Sequence, residues 1–82
     1  RKGDVMVKIE LISFENNIAN IKCYPEGHNE NMFTMTLDIE NKKVIDKSEN
    51  AEAPYTAHAA WKIFDTYERT GQIPEKTMDI WY

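Results

Sequence analysis

The feature that most restricts this chain is an alternation near its start. Val5, Val7, Ile9 and Leu11 stand at every second position, separated by Met6, Lys8 and Glu10. A period of two with β-branched residues specifies a strand that turns one face to a core. Glu15-Asn16-Asn17 interrupts it, and Asn tolerates the left-handed backbone that a tight turn needs. A second strand runs from Ile18 to Tyr24 and ends at Pro25. The two strands form a hairpin whose register follows from their side chains. A two-residue loop at Asn16-Asn17 sets Leu11 against Lys22 and Glu10 against Cys23. A three-residue loop, Glu15 to Asn17, sets Leu11 against Ile21, Ile9 against Cys23 and Glu10 against Lys22. The second register joins apolar to apolar and acid to base, so it is the expected one, with Asn17 as the left-handed residue of a bulged turn.

The same reasoning extends along the chain. Pro25 to Glu30 is a polar loop. Met32 to Ile39 is a third strand, with Phe33, Met35, Leu37 and Ile39 on one face and Thr34, Thr36 and Asp38 on the other. Glu40 to Lys43 is a hairpin turn centred on Asn41-Lys42, and Val44-Ile45 is a short fourth strand. Residues 46–53 are a polar loop. Pro54 suits the first turn of a helix, but Ala53 is a poor cap, which moves the expected start to Thr56. At 100° per residue, Ala57, Ala60, Ile63, Phe64 and Tyr67 gather on one helix face, and His58, Lys62, Asp65 and Arg69 on the other. Asp65 precedes Arg69 by four, a favourable helical ion pair. Gly71 supplies a left-handed cap, Pro74 prevents resumption, and Lys76 to Tyr82 alternates as a last strand. The order is β-β-β-β-α-β. It predicts an α+β fold in which one amphipathic helix packs on one face of a mostly antiparallel sheet, a two-layer sandwich.

With no repeat, linker or low-complexity tract, residues 1–82 are expected to form one domain. Leu, Ile, Val and Phe together number 17 of 82, just above the level typical of disordered chains. A domain this small buries only about 60–65% of its unfolded surface, which raises the expectation of a partner or a second copy.

Several classes of function drop out. No apolar run reaches the ~18 residues of a membrane span. No secretory signal is visible, and with Arg1 in first place the expectation is that upstream residues were removed or never included, or that Met6 is the native start. One cysteine, Cys23, makes no internal disulfide and fits a reducing cytoplasm. Eight Lys against two Arg, with nine Ile and seven Asn, fits the coding bias of a bacterial source. Ten basic against fourteen acidic residues, net −4, speaks against nucleic acid, because Glu40, Asp46 and Glu49 surround the one basic spot at Lys42, Lys43 and Lys47.

No residue pattern carries catalysis or a cofactor. The loop from Asp46 has oxygen ligands at alternate positions, as in a calcium-binding EF-hand. Its sixth position is Ala51 rather than Gly and its twelfth is Ala57 rather than Glu. His28 and His58 lie thirty residues apart, outside compact metal-ligand spacing, and His58 falls beside Lys62. Cys23 aligns with Ile21 on the core face, where a thiol is inert. Asp65 and Glu68 read as solvating carboxylates on an exposed helix face, and Gly3, Gly27 and Gly71 are too scattered to cradle phosphate.

The aromatic residues say more. Trp61 falls at the edge of the apolar helix face, either covering the sheet edge or standing out as an anchor. With Val7, Ile9, Leu11, Ile21 and Phe33 towards the helix, Met6, Ile12, Phe14, Ile18, Tyr24 and Met32 point to the open face. These gather towards the Phe14/Ile18 turn and predict a contact surface. The expected function is a non-enzymatic interaction module, acting on another protein or on a second copy as a homodimer. Its contacts are Phe14, Ile18, Tyr24 and Met32 on the open face, with Trp61, Trp81 and Tyr82 at the edge. The alternative is a small-ligand site or small enzyme with a pocket between helix and sheet near Tyr55, Trp61 and Tyr67, and His58 as its polar group.

Overall fold

The computed structural model describes residues 5–81. Strand β1 covers Val5–Glu15, β2 Ile18–Pro25, β3 Phe33–Asp38, β4 Lys43–Lys47 and β5 Lys76–Trp81, and helix α1 covers Tyr55–Thr70. The strands form one antiparallel sheet in the order β4-β3-β2-β1-β5. The helix packs on one face of it, so the fold is a two-layer α+β sandwich. Tyr82 lies outside the described residues.

The core is the alternating face. Val7 and Ile9 of β1, Ala19, Ile21 and Cys23 of β2, and Phe33, Met35 and Leu37 of β3 are buried under Ala59, Ala60 and Ile63 of the helix. Ile39, just past β3, completes the row. The opposite face carries polar side chains that satisfy one another across strands. Asn20 Nδ2 donates to Ser13 Oγ at 3.0 Å, and Thr36 Oγ1 donates to Asn20 Oδ1 at 2.7 Å. That ladder spans β1, β2 and β3, and an antiparallel sheet can leave such a face wet.

The first hairpin reaches its expected register by another route. Ile9 opposes Cys23, Glu10 opposes Lys22 and Leu11 opposes Ile21, as the side-chain pairing requires. The loop, however, is the two-residue one: Glu15 opposes Ile18, with Asn16 and Asn17 both left-handed at φ 52° and 66°. Two positive φ values mark the hairpin turn whose twist matches its strands. The missing residue is absorbed further back, where a bulge between Leu11 and Ser13 leaves Ile12 without a partner. A bulge inverts the facing of everything beyond it. Phe14 therefore lies on the helix side, opposite buried Ala19, and not on the open face as the uninterrupted alternation predicts.

The helix is also turned from its expected setting. It starts at Tyr55, one residue before Thr56, with Pro54 at the cap position and no side-chain cap. Its buried residues are Thr56, Ala59, Ala60 and Ile63, while Ala57 is exposed. The buried stripe centres near Ile63, a rotation of about 50° from the face centred on Ala60. Hydropathy weights large residues and passes over small ones such as Thr56 and Ala59, which are buried here. The C-terminal end follows expectation: Gly71 is left-handed at φ 77° and its N–H donates to Tyr67 O at 2.7 Å.

Candidate functional site

The expected contact residues do not converge. Phe14 is inside, its ring edge-on to Tyr67 at 5.6 Å and 81°. Ile18 is on the open face beside the turn, between Glu15 and Asp38. Tyr24 is on the open face too, but its hydroxyl donates to Glu10 Oε1 at 3.0 Å. That bond, then burial and the carboxylate charge, hold the phenol above its ordinary pKa. Met32 lies one residue before β3, where its carbonyl accepts from Asn50 Nδ2. Between Ile18 and Tyr24 run the polar rows of Asn20 and Lys22, so no continuous patch forms at the Phe14/Ile18 end.

Trp61 and Trp81 have opposite environments. Trp61 points into solvent, 54% exposed, and does not cover the sheet edge. Trp81 lies on the helix side of β5 and packs against the core. The His58 ring stacks on it at 3.6 Å and 1°, and Tyr55 meets its edge at 5.9 Å. His58 Nδ1 lies 2.9 Å from Asp79 Oδ2. His58 is therefore half-buried at the helix–sheet seam, not on an open polar helix face beside Lys62. What buries position 58 is not the helix rotation but the edge strand, whose Asp79 and Trp81 reach it across the sheet.

The expected pocket beside Tyr55, Trp61 and Tyr67 is replaced by these contacts. Tyr55 also donates to Glu26 Oε2 at 2.9 Å, which holds its hydroxyl above the ordinary phenol range. Two open clefts are present, and one of them touches Tyr55. One, of about 170 Å³, opens between Tyr24, Gly27 and Lys76. The other, of about 370 Å³, lies beside Tyr55 and is rimmed by Glu26, Glu49 and Glu52, without Trp61 or Tyr67. Both are open to solvent, and the larger gathers three carboxylates with no cationic side chain among its lining residues. Among the described residues no group of three His, Cys, Asp or Glu side chains is placed to hold a metal ion. Cys23 is buried, and burial pushes its thiol up to about 12, which removes it as a nucleophile.

Unpaired backbone and exposed apolar side chains meet at the sheet edges, Val44 and Ile45 on β4 and Met78 and Ile80 on β5. The sheet has two edges, β4 and β5, and they are finished differently. Strand β4 is five residues long and bulged between Thr36 and Leu37 of its neighbour, with Lys42, Lys43 and Lys47 around it. Bulges and lysines are standard protection against edge-to-edge pairing. Strand β5 pairs with β1 in unbroken register from Val5–Trp81 to Glu10–Lys76. Its outer side chains are Lys76, Met78 and Ile80, with Met78 41% and Ile80 55% exposed. Met6 of β1 lies directly opposite Ile80 on the same face.

Two hydrogen bonds fix which backbone groups of β5 are free. Leu11 N donates to Glu75 O at 2.8 Å, and Glu26 N donates to Met6 O at 2.9 Å. Antiparallel ladders alternate bonded and non-bonded pairs. Odd residues of β1 therefore bond towards β5 and even residues towards β2. On β5 the odd residues Thr77, Asp79 and Trp81 bond inward. Lys76, Met78 and Ile80 direct both N–H and C=O away from the sheet. The sequence reads residues 76–82 as an alternating strand, but Met78 and Ile80 are not among the expected contact residues. The signal was present in the alternation of residues 76–82 and needed only the position of that strand in the sheet.

No protein-family model matches the chain, and neither a curated protein nor a solved structure gives a significant match. Among the described residues no helix is long and apolar enough to cross a membrane.

Proposed function

We propose that this protein is a non-enzymatic interaction module that binds a polypeptide strand along its β5 edge. The observation that carries the reading is the coincidence on β5 of three outward-directed peptide groups with the exposed side chains of Met78 and Ile80. An added strand would satisfy the peptide groups, which supply affinity, while Met78, Ile80 and Met6 supply apolar contact on the open face. The contrast with the bulged, lysine-flanked β4 edge supports β5 as the side left open for pairing. A reducing cytoplasmic setting belongs to the same reading, supported by the free, buried Cys23.

Photocrosslinking tests it. Benzoylphenylalanine replaces Ile80 in the full chain expressed in its source cells. Adducts to a polypeptide are expected on irradiation, and they should vanish when the chain also carries Met78→Pro. That substitution removes an N–H that faces away from β1, so the internal ladder survives. A chain that forms no adduct from position 80, or the same adducts in the presence of Met78→Pro, overturns the reading.

A further inference from the structure

We infer that the strand taken up by β5 is the β5 of a second copy, paired antiparallel about a two-fold axis through Met78, to make one continuous ten-stranded sheet. This rests on the β5-edge reading above and adds the identity and register of the partner. The argument is one of self-complementarity. In an antiparallel pair, directly opposed residues lie on the same face, so a two-fold axis must pass through a residue and not between two. The candidates on β5 are Lys76 to Ile80.

Charge removes most of them. An axis through Lys76 opposes two ammonium groups, and one through Asp79 opposes two carboxylates. An axis through Thr77 sets Asp79 against Glu75. Like charges directly opposed are destabilising. An axis through Ile80 leaves Lys76 and Thr77 without partners. The Met78 axis alone opposes no like charges and uses the whole strand. It sets Lys76 against Ile80, Thr77 against Asp79 and Glu75 against Trp81. Lys76, Met78 and Ile80 are the residues whose N–H and C=O face outward, so this axis matches every free donor to a free acceptor. The Lys76 stem can lie over the neighbouring copy's Ile80 while its ammonium reaches water. Ile80 and Met78 of both copies then form one apolar row on the open face, continued by Met6 on each side. An interface in which each copy offers the same patch is the usual one for a two-fold dimer.

A single strand seam is small, in the class below about 1,200 Å², where association is reversible and weak. The mass should therefore depend on concentration. Sedimentation equilibrium of the full chain is expected to show 9.6 kDa at micromolar concentration, rising towards twice that at about millimolar. Ile80→Lys and Met78→Pro should each hold the monomer mass throughout, with an unchanged far-ultraviolet circular dichroism spectrum. Met78→Cys reads the register. Its two Cα atoms would lie about 5.5 Å apart across the axis, within disulfide range. Mild oxidation should then convert most of the chain to a covalent dimer, while Thr77→Cys and Asp79→Cys, displaced from the axis, should not. A wild-type chain that stays monomeric at millimolar concentration overturns the second copy as partner. The module reading still stands in that case if position 80 crosslinks to another polypeptide, and falls if it crosslinks to nothing. A dimer that survives both edge variants overturns the β5 seam, and a dimer that Met78→Cys fails to trap overturns the register.

Discussion

His58 Nδ1 sits 2.9 Å from Asp79 Oδ2 while the same imidazole lies flat on Trp81, ring centroids 3.6 Å apart. One side chain of the helix thereby grips two residues of β5, which has a single neighbouring strand in the sheet. The two contacts tie the helix to the edge strand. The Asp79 side chain is only 12% exposed and His58 34%, so the bond is partly shielded from water. A double-mutant cycle with His58→Ala and Asp79→Asn should give a coupling energy of about 1 kcal/mol by urea denaturation. Additive effects would mean that the bond contributes nothing beyond the Trp81 stack.

Phe14 and Ile12 should behave in opposite ways. Phe14 packs against the core and meets Tyr67 edge-on, so Phe14→Ala should cost about 3 kcal/mol. Phe14→Glu should prevent folding, since a lone carboxylate would enter that contact. Ile12, the unpaired residue of the bulge, is 54% exposed, and Ile12→Ser should change stability by less than about 1 kcal/mol. Thermal denaturation of the three variants checks both statements. If Ile12→Ser proves the costlier change, the bulge has been placed on the wrong residue.

That pair of residues also shows what a sequence can and cannot disclose. The strands, their antiparallel order and the Leu11–Ile21 register were legible because period-two alternation and charge pairing are local or nearly so. The bulge was not, because one extra residue in the turn and one extra residue in the strand give the same pairing of residues 9–11 with 21–23. Only the side from which Phe14 is buried distinguishes them. The helix rotation was hidden for a related reason. Hydropathy cannot see that Thr56 and Ala59 are buried, or that His58 and Tyr55 turn towards Trp81. The candidate edge was concealed by sheet order. Residues 76–81 read as a strand, but nothing local says that they pair with residues 5–10 and stand at a border.

The helix carries one correctable flaw. Thr66 Oγ1 is buried without a hydrogen-bond partner among the described residues. An unsatisfied buried hydroxyl costs roughly 1–3 kcal/mol. Thr66→Val keeps the branched shape and removes the orphan group. It should stabilise the fold by about 1 kcal/mol, seen as a melting temperature several degrees higher. A lower melting temperature would show that the hydroxyl has a partner after all.

The turn at Asn16-Asn17 should be improvable as well. Asn17 sits at φ 66° and its carbonyl accepts from Ile39 N at 2.9 Å, so the turn is tied to the end of β3. Glycine meets no Cβ penalty at positive φ, and Asn-Gly is the preferred pair for this turn. Asn17→Gly should add a few tenths of a kcal/mol. Asn17→Val should cost more than about 1 kcal/mol, because a branched side chain strongly resists the left-handed region. Denaturant midpoints of the two variants, at equal slope, decide the matter.

The thiol of Cys23 offers a test of the core through pH. Burial raises its pKa from 9.0 to about 12, because the thiolate would lose hydration among apolar neighbours. The folded state therefore binds the proton more tightly than the unfolded state. The resulting stability is fully present below about pH 9 and is lost as the pH rises towards 12. At about pH 8, where an exposed cysteine is already partly ionised, native Cys23 should resist a thiol reagent for hours, and urea should release it at the rate of an open peptide thiol. Cys23→Ala should flatten the alkaline part of the stability profile and lower stability at neutral pH by about 1 kcal/mol through lost packing. Rapid labelling of the folded chain under the same conditions would place Cys23 outside the core. The registers Ile9–Cys23 and Cys23–Phe33, which rest on its inward facing, would then be wrong together.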